Sequence, residues 1–490
     1  MPLSTSYKKA MMIDKPPRQH KPFLLTRVIN GWFNRLIRAV SEGSRGNDEE
    51  VYAAHRTSRD YIWNTLGIAT WGLVFPLLTV VTTQLIGTEQ AGMFAMAFVV
   101  GTLLMFLGNY GVRTYQVSDI DEAHSFSDYQ ISRWITCILM VAAGLLYCLL
   151  RGYDSNMFAL SLAVYLYRMI DGLADVYEGR LQQVDKLYLA GISQAIRSLA
   201  VLIVFALTLL ITHNLMAACI VMAVVAALTF LVVTLPLAYL ESPRSPHFKL
   251  TSIRKLFGQC FPLFVALFMY SLVDNMPKFV MEGQLPYADQ LYFNAIYFPA
   301  MLILLVVGFI YKPQLVRLAN LWADKERHKL FALIIVAVIA VIIVLVVLMI
   351  LLMNWVGINF MSWLYGVNFA RFRDMFMIML VAGGVAAMVD FLYQIITVLR
   401  EQKSVMGLYV VAFGFSLLVC ILLVNYTGLR GAVISYLIVM CILLVLLVMQ
   451  FFRIWISFTQ QPPEQRRNDA REQHAAELRR QERLLRHPPQ

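Results

Sequence analysis

The sequence predicts an all-α polytopic membrane protein, with about 12 transmembrane helices arranged as two six-helix lobes. Three observations carry that expectation. Of 490 residues, 59% are hydrophobic and only 14% charged, and the mean hydropathy is +0.65. A soluble chain of this length needs more polar surface than that to cover its core. Apolar runs long enough to cross hydrocarbon, which takes ~20 residues, recur along the chain. A polar, basic, proline-containing stretch separates the sixth run from the seventh.

Taken in order, the chain opens with a tail over residues 1–59. Within it, "LLTRVINGWFNRLIRAV" (24–40) puts Leu25, Ile29, Trp32, Leu36 and Val40 on one helical face. Arg27, Asn30, Asn34, Arg35 and Arg38 lie mostly on the other. That pattern fits a helix lying on membrane lipid at the inner leaflet, or one packed on the protein's own cytoplasmic face. No cleavable signal peptide is expected, because Arg27 interrupts "FLLTRVI" before a sufficient apolar run. The N-lobe, 60–240, holds spans at about 60–85, 92–111, 131–150, 157–178, 195–212 and 215–240. A linker at 241–257 follows, including "ESPRSPHFKLTSIRKL" (241–256). The C-lobe, 258–458, holds spans at about 258–281, 286–311, 330–353, 374–398, 405–424 and 430–457. The tail at 459–490 carries seven Arg and five acids after Pro462–Pro463, and reads as a solvated helix or arm.

Lys and Arg set the orientation. If the N-terminus is cytoplasmic, 35 of the 41 fall in the tails and in loops on its side. The opposite side holds Arg151, Lys278, Arg371, Arg373 and Arg430, and Arg168 remains inside a span. A multi-pass protein of the plasma membrane with both termini cytoplasmic is therefore expected. The net charge of +11 is mostly this topological signal and does not argue for nucleic acid as a partner. The six cysteines, Cys137, Cys148, Cys219, Cys260, Cys420 and Cys441, all fall in spans without metal-ligand spacing, and read as small buried thiols. No cofactor is implied.

The halves echo each other. "GTEQAGMF" (87–94) follows the first span as "LPYADQLY" (285–292) follows the seventh. "YGVRTYQV" (110–117) and "GFIYKPQL" (308–315) close their spans with a basic residue and a matching Gln. Parallel six-helix repeats of this kind build transporters whose site lies at the repeat interface; chance similarity between apolar segments is the alternative.

Five stretches carry a family resemblance: "QLIGTEQAG" (84–92), "YRMIDGLADVYEGRLQQVDKLYLAGISQAIRSL" (167–199), "FGQCFPLFV" (257–265), "FIYKPQLVRLA" (309–319) and "LYGVNF" (364–369). Across residues 60–457 the chain resembles the polysaccharide-transporter branch of the MOP superfamily, in particular Wzx-type O-antigen flippases. It departs where Gln84 stands in place of a frequent Arg and Ile86 in place of Leu, and both tails fall outside the match. The resemblance implies two lobes around a central cavity that opens alternately to each side. The implied cargo is a polyprenyl-diphosphate-linked oligosaccharide, flipped outward across the bacterial plasma membrane. Membrane lipids, and polysaccharide assembly proteins, are the implied company of a monomeric transporter.

Such a cargo needs cations for its diphosphate, and Arg donates two parallel bonds. Arg168 lies midway along the fourth span, with Asp171 and Asp175 following at one-turn intervals. Together with Ser161, Tyr165 and Glu178 they form a polar stripe, which must face a hydrated cavity or another polar helix. Arg168 either meets substrate or locks helices through Asp171. Asp274, Asn275, Lys278 and Glu282 form a second set near the outer end of the seventh span. Asp274 and Lys278 are spaced for an i, i+4 pair, and Lys278 is either a substrate cation or a snorkelling interfacial lysine. Arg113 and Lys312 close the second and eighth spans, as first contacts for diphosphate or as plain positive-inside anchors. Tyr292 and Asn294, with Tyr287 and Tyr297, suit sugar stacking or an aromatic belt. Asp390, deep in the tenth span, pairs with Arg168 across the lobes or binds a coupling proton or Na+. Pro76, Pro277 and Pro299 are candidate bending points.

Two rival readings stand beside the flippase. A cation-coupled multidrug exporter of the same fold is favoured by Asp390. A membrane polymerase or glycosyltransferase has only "DID" (119–121) in its favour, and an outer loop at 354–373 too short for an extracellular active site. No Walker A motif occurs in the sequence.

Overall fold

In hydrocarbon a backbone must satisfy its own N–H and C=O groups, so apolar runs of this length become helices. A computed structural model of the chain describes residues 49–119, 124–242, 250–315, 328–399 and 402–460, with 318, 321 and 322. The amphipathic segment 24–40, residues 243–249 of the 241–257 linker, the end of the "DID" motif and the tail beyond 460 lie outside the described residues.

Among the described residues, 11 helices are long and apolar enough to cross a membrane. They are α1 (Arg59–Ile86), α2 (Thr88–Asn109), α3 (Phe126–Arg151), α4 (Ser155–Gln183), α5 (Leu187–Thr212) and α6 (Leu215–Glu241). In the second half come α7 (Leu250–Met281), α8 (Tyr287–Tyr311), α9 (Leu330–Tyr365) and α10 (Ala370–Thr397). The last helix, Val405–Ile456, is broken at Gly428, whose φ of 59° and ψ of −132° are not helical. Glycine adopts that positive φ without the penalty a Cβ would bring. Its two limbs, α11 and α12, complete the twelve expected spans. Below, the basic end is the one at which α1 begins at Arg59, and the far end is its opposite.

Two expectations need correction. The loop foreseen at 354–373 is mostly helix, because α9 continues through a π turn at Met353–Gly357 and stops at Gly366, with φ 66°. Its extension carries exposed Trp355, Phe360 and Trp363, side chains that favour the membrane boundary. Cys441 is exposed, whereas the other five cysteines are buried.

Two hydrophobic cores form. One is built from the first half and includes Leu78, Phe94, Phe205 and Met222. The other is built mostly from the second, with Val80 and Ala91 of the first, and includes Phe293, Ile342, Phe376 and Leu443. Helix α7 belongs to both: Leu256 and Cys260 near its start join the first core, and Val273 and Met281 the second. Pro262 and Pro277 lie inside it, and each removes an intrahelical bond that would stiffen the crossing. Exposed Leu and Ile side chains such as Leu149, Ile211 and Leu351 cover the outside, as a multi-pass membrane protein requires.

The halves are tied at both ends. At the far end Glu282, directly after α7, accepts from Arg151 Nε at 2.8 Å and from the Tyr147 and Tyr153 hydroxyls. At the basic end the Tyr115 hydroxyl donates to the Gln259 carbonyl at 2.7 Å, and the Tyr110 ring stacks on Phe264 at 4.4 Å.

Candidate functional site

Between the halves lies a cavity of about 200 Å³. The first half contributes Trp71, Phe98, Thr102 and Arg168 to its wall; the second contributes Asp274, Asn275, Lys278, Asn294 and Tyr297. Pro76 of α1 lies on the same wall.

Arg168 reaches the cavity from the middle of α4. Its guanidinium sits over the rings of Trp71 and Phe98, at 5.2 and 4.9 Å from their centroids. One Nη donates to Asp171 Oδ2 at 3.2 Å and the other to Thr102 Oγ1 at 3.0 Å. Nε–H is buried and has no partner among the described residues. An arginine carries five N–H donors, so this one keeps hydrogen-bonding capacity while its faces are held by aromatic rings.

The rest of the polar stripe turns away from the cavity and into the first half. Asp171 accepts from Arg197 Nε at 2.9 Å and from Trp71 Nε1 at 3.1 Å. Asp175 is clamped between Arg113 (2.6 Å) and Arg133 (2.9 Å), and Arg113 also donates to Gln182 Oε1 at 3.1 Å. Glu178 pairs with Arg197 at 2.7 Å. Tyr165 is fully buried, its hydroxyl 3.9 Å from Cys148 Sγ. Of the fourth-span candidates, then, only Arg168 lines the cavity.

Arg133 and Arg197 were counted among loop cations in the orientation argument. They are instead helical and almost fully buried, each matched to a carboxylate of α4. Leaving a buried carboxylate unpaired is costly, and three acids on one membrane helix were the signal that such partners had to exist.

From the second half, Lys278 is buried, at 4% exposure, and is no snorkelling lysine. Its Nζ donates to Asn275 Oδ1 at 2.9 Å and lies 4.8 Å from the Tyr297 ring centroid. The Asp274 carboxylate accepts instead from Tyr436 at 2.8 Å and Tyr297 at 3.5 Å, hydroxyl partners that the sequence alone did not assign. Asn294 keeps an amide oxygen without a partner. Tyr292 is outside the cavity wall, its ring tilted at 43° to Phe372 with centroids 5.0 Å apart, under Arg371. Lys312 is exposed at the basic end of α8. Asp390 does not pair with Arg168; its carboxylate accepts from the Tyr311 hydroxyl.

The family model described as polysaccharide biosynthesis protein matches residues 58–318, more than half of the chain. The chain belongs to that family. Among solved structures, the chain is similar to an inward-facing multidrug resistance MATE family transporter of the MOP superfamily. The TM-score is 0.60 at 12% identity, over 81% of this chain and 100% of that one. It is also similar to a MOP superfamily transporter from Pyrococcus furiosus, with TM-score 0.56 and 12% identity over 84% and 99% of the two chains. The bent form of the Vibrio cholerae MATE transporter VcmN gives TM-score 0.54 and 12% identity over 83% and 99%. At such identities the likeness establishes the MOP transporter fold and nothing finer. No curated protein shows significant sequence similarity.

Proposed function

We propose that this protein is a flippase that moves a lipid-diphosphate-linked oligosaccharide from the inner to the outer leaflet of the bacterial plasma membrane. The observation that carries the reading is the pair of cations, Arg168 and Lys278, brought to one cavity from opposite halves. A site divided between two halves changes its access when they rock. The pair supports an anionic headgroup, and Asn275, Asn294, Trp71 and Tyr297 on the same wall supply amide and aromatic surface for the first sugar. A cavity of about 200 Å³ is below the several hundred Å³ usual for a drug-sized ligand. In this conformation it suits a headgroup rather than a whole repeat unit, so the glycan passes only when one end opens.

A cation-coupled multidrug exporter of the same fold is the weaker reading, since a cationic drug would need a free carboxylate on the wall. The one carboxylate on the wall, Asp274, already accepts two tyrosine hydroxyls and stands against two basic residues.

The test is reconstitution into liposomes with a lipid-diphosphate oligosaccharide in one leaflet. Exposure of the glycan to an impermeant lectin on the other side is then followed. The protein is expected to speed this exposure, and Arg168→Ala to lose the acceleration. Lectin access at the rate of empty liposomes would reject the assignment.

A further inference from the structure

The environment of Arg168 poses a problem that Asp171 alone does not solve. Asp171 lies one turn along the same helix, and an unrestrained carboxylate there would take a guanidinium by a two-bond fork. It does not. Asp171 gives Oδ2 to Arg168 at 3.2 Å and to the Trp71 indole at 3.1 Å, while Arg197 Nε holds Oδ1 at 2.9 Å.

Arg197 is in turn fixed. It is 2% exposed, and its Nη1 donates to Glu178 Oε1 at 2.7 Å and Thr234 Oγ1 at 3.4 Å. Ser193 links the same two groups, at 3.2 Å to Glu178 and 2.8 Å to Thr234. Thr234 ends a π turn, Phe230–Thr234, directly before the Leu235–Glu241 segment with Pro236 in its first turn. Proline lacks an N–H and crowds the carbonyl four residues back, which favours such a local widening of the helix. Three helices, α4, α5 and α6, therefore set the Arg197 guanidinium.

The four ionic groups Arg168, Asp171, Arg197 and Glu178 balance. Removing Arg197 leaves an excess of carboxylate and frees Asp171 to close on Arg168.

We propose that Arg197 is a positioning residue for the cavity: by holding Asp171 to a single bond, it keeps Arg168 donors available to an anionic group. This rests on the reading that Arg168 meets a diphosphate. Inorganic pyrophosphate is the probe, titrated into the purified full chain, with Arg168→Ala as the control for binding elsewhere. The indole of Trp71, bonded to Asp171 and under Arg168, gives a second readout that needs no ligand. Its emission is taken as the difference between each protein and its Trp71→Phe counterpart.

Loss of one charge-assisted bond predicts that Arg197→Gln weakens pyrophosphate binding by about tenfold and shifts the Trp71 emission. The double variant Arg197→Gln/Glu178→Gln restores the charge balance and is expected to remain weak, because Asp171 is still released. Arg197→Lys, which keeps the charge and the fold, is expected to lose part of the affinity. Wild-type affinity in Arg197→Lys together with unchanged Trp71 emission overturns the proposal, even if the neutral variants do not fold. Recovery of full affinity in the double variant also overturns it, since net charge would then be the cause. If wild-type protein binds no pyrophosphate, the anion reading of Arg168 fails by itself, and the Trp71 emission still decides the positioning.

Discussion

The Glu89 carboxylate accepts the backbone N–H of Tyr287 at 3.2 Å, from a residue 198 positions away. That separation is also the offset between the two sequence repeats, so residue 89 meets its own counterpart. Ala288 N–H is held as well, at 3.1 Å. The first N–H groups of a helix lack intrahelical partners, and an anion there also complements the helix dipole. One turn further on, Gly92 lies so close to the Tyr287 carbonyl that a Cβ would overlap backbone. This contact is where α2 and α8 meet.

Glu89→Ala should therefore cost about 1 kcal/mol of stability, as loss of a helix cap does. Gly92→Ala should cost more, because backbone rather than a pliable side chain must move. Thermal unfolding of the purified protein checks the order. A Gly92→Ala protein as stable as wild type would show that the helices do not meet this closely.

At the far end Glu282 is 5% exposed and takes its bonds from Arg151, Tyr147 and Tyr153 across the halves. The Arg151 side chain is 35% exposed, so losing either partner should cost less than the ~3–5 kcal/mol of a fully buried pair; about 1.4 kcal/mol already changes a two-state population tenfold. Glu282→Gln and Arg151→Gln should each lengthen the distance between spin labels at Asn156 and Ala370. The exchange Arg151→Glu/Glu282→Arg should bring part of it back. Unchanged distances in both single variants would remove this pair from the gating of the far end.

The spans and their division into two sets were legible because hydrocarbon imposes a length and a composition that nothing else in the chain imitates. Gly428 does not interrupt hydropathy, yet it breaks a helix; the flanking "NYTGLR" marked that break in the sequence. The cavity was half legible. Arg168 and Lys278 stood out as charges in apolar runs, but which charges would neutralise one another is a matter of long-range packing. Arg133 and Arg197 lie two residues inside the spans expected from hydropathy, where positive-inside counting absorbs them, whereas α3 and α5 begin well before them, at Phe126 and Leu187. Trp71 looked like one more apolar residue until its indole N–H was placed on Asp171.

Topology follows from the same counting. Cysteines introduced near Asn214 and Asn359 should react with an impermeant reagent added to intact cells, and one at Ser245 should not. Reaction at Ser245 would invert the proposed orientation.

Energy for transport has a simple electrostatic candidate. Carrying one charge through the full potential is worth roughly 2.3 kcal/mol per 100 mV, and a dianionic cargo moves outward downhill when the inside is negative. Arg168 and Lys278 are balanced in the empty cavity by Asp171 and by Asp274 on the same wall, so the potential acts chiefly on the loaded, negatively charged site and drives its outward step. Collapsing the potential in proteoliposomes without ion gradients should then slow turnover. Indifference to voltage, with dependence on a pH or Na+ gradient that Asp390→Asn abolishes, would favour antiport through the Asp390–Tyr311 pair.

The central claim is that two cations from opposite halves hold one anionic headgroup. Equilibrium binding of a short-chain polyprenyl diphosphate without glycan, to purified wild type and to Arg168→Ala, Arg168→Lys and Lys278→Ala, tests it most directly. Each alanine variant is expected to weaken binding at least about tenfold, the loss of one charged hydrogen bond. Arg168→Lys should fall between, because a point charge replaces only part of a planar donor. Wild-type affinity in both alanine variants would contradict the account.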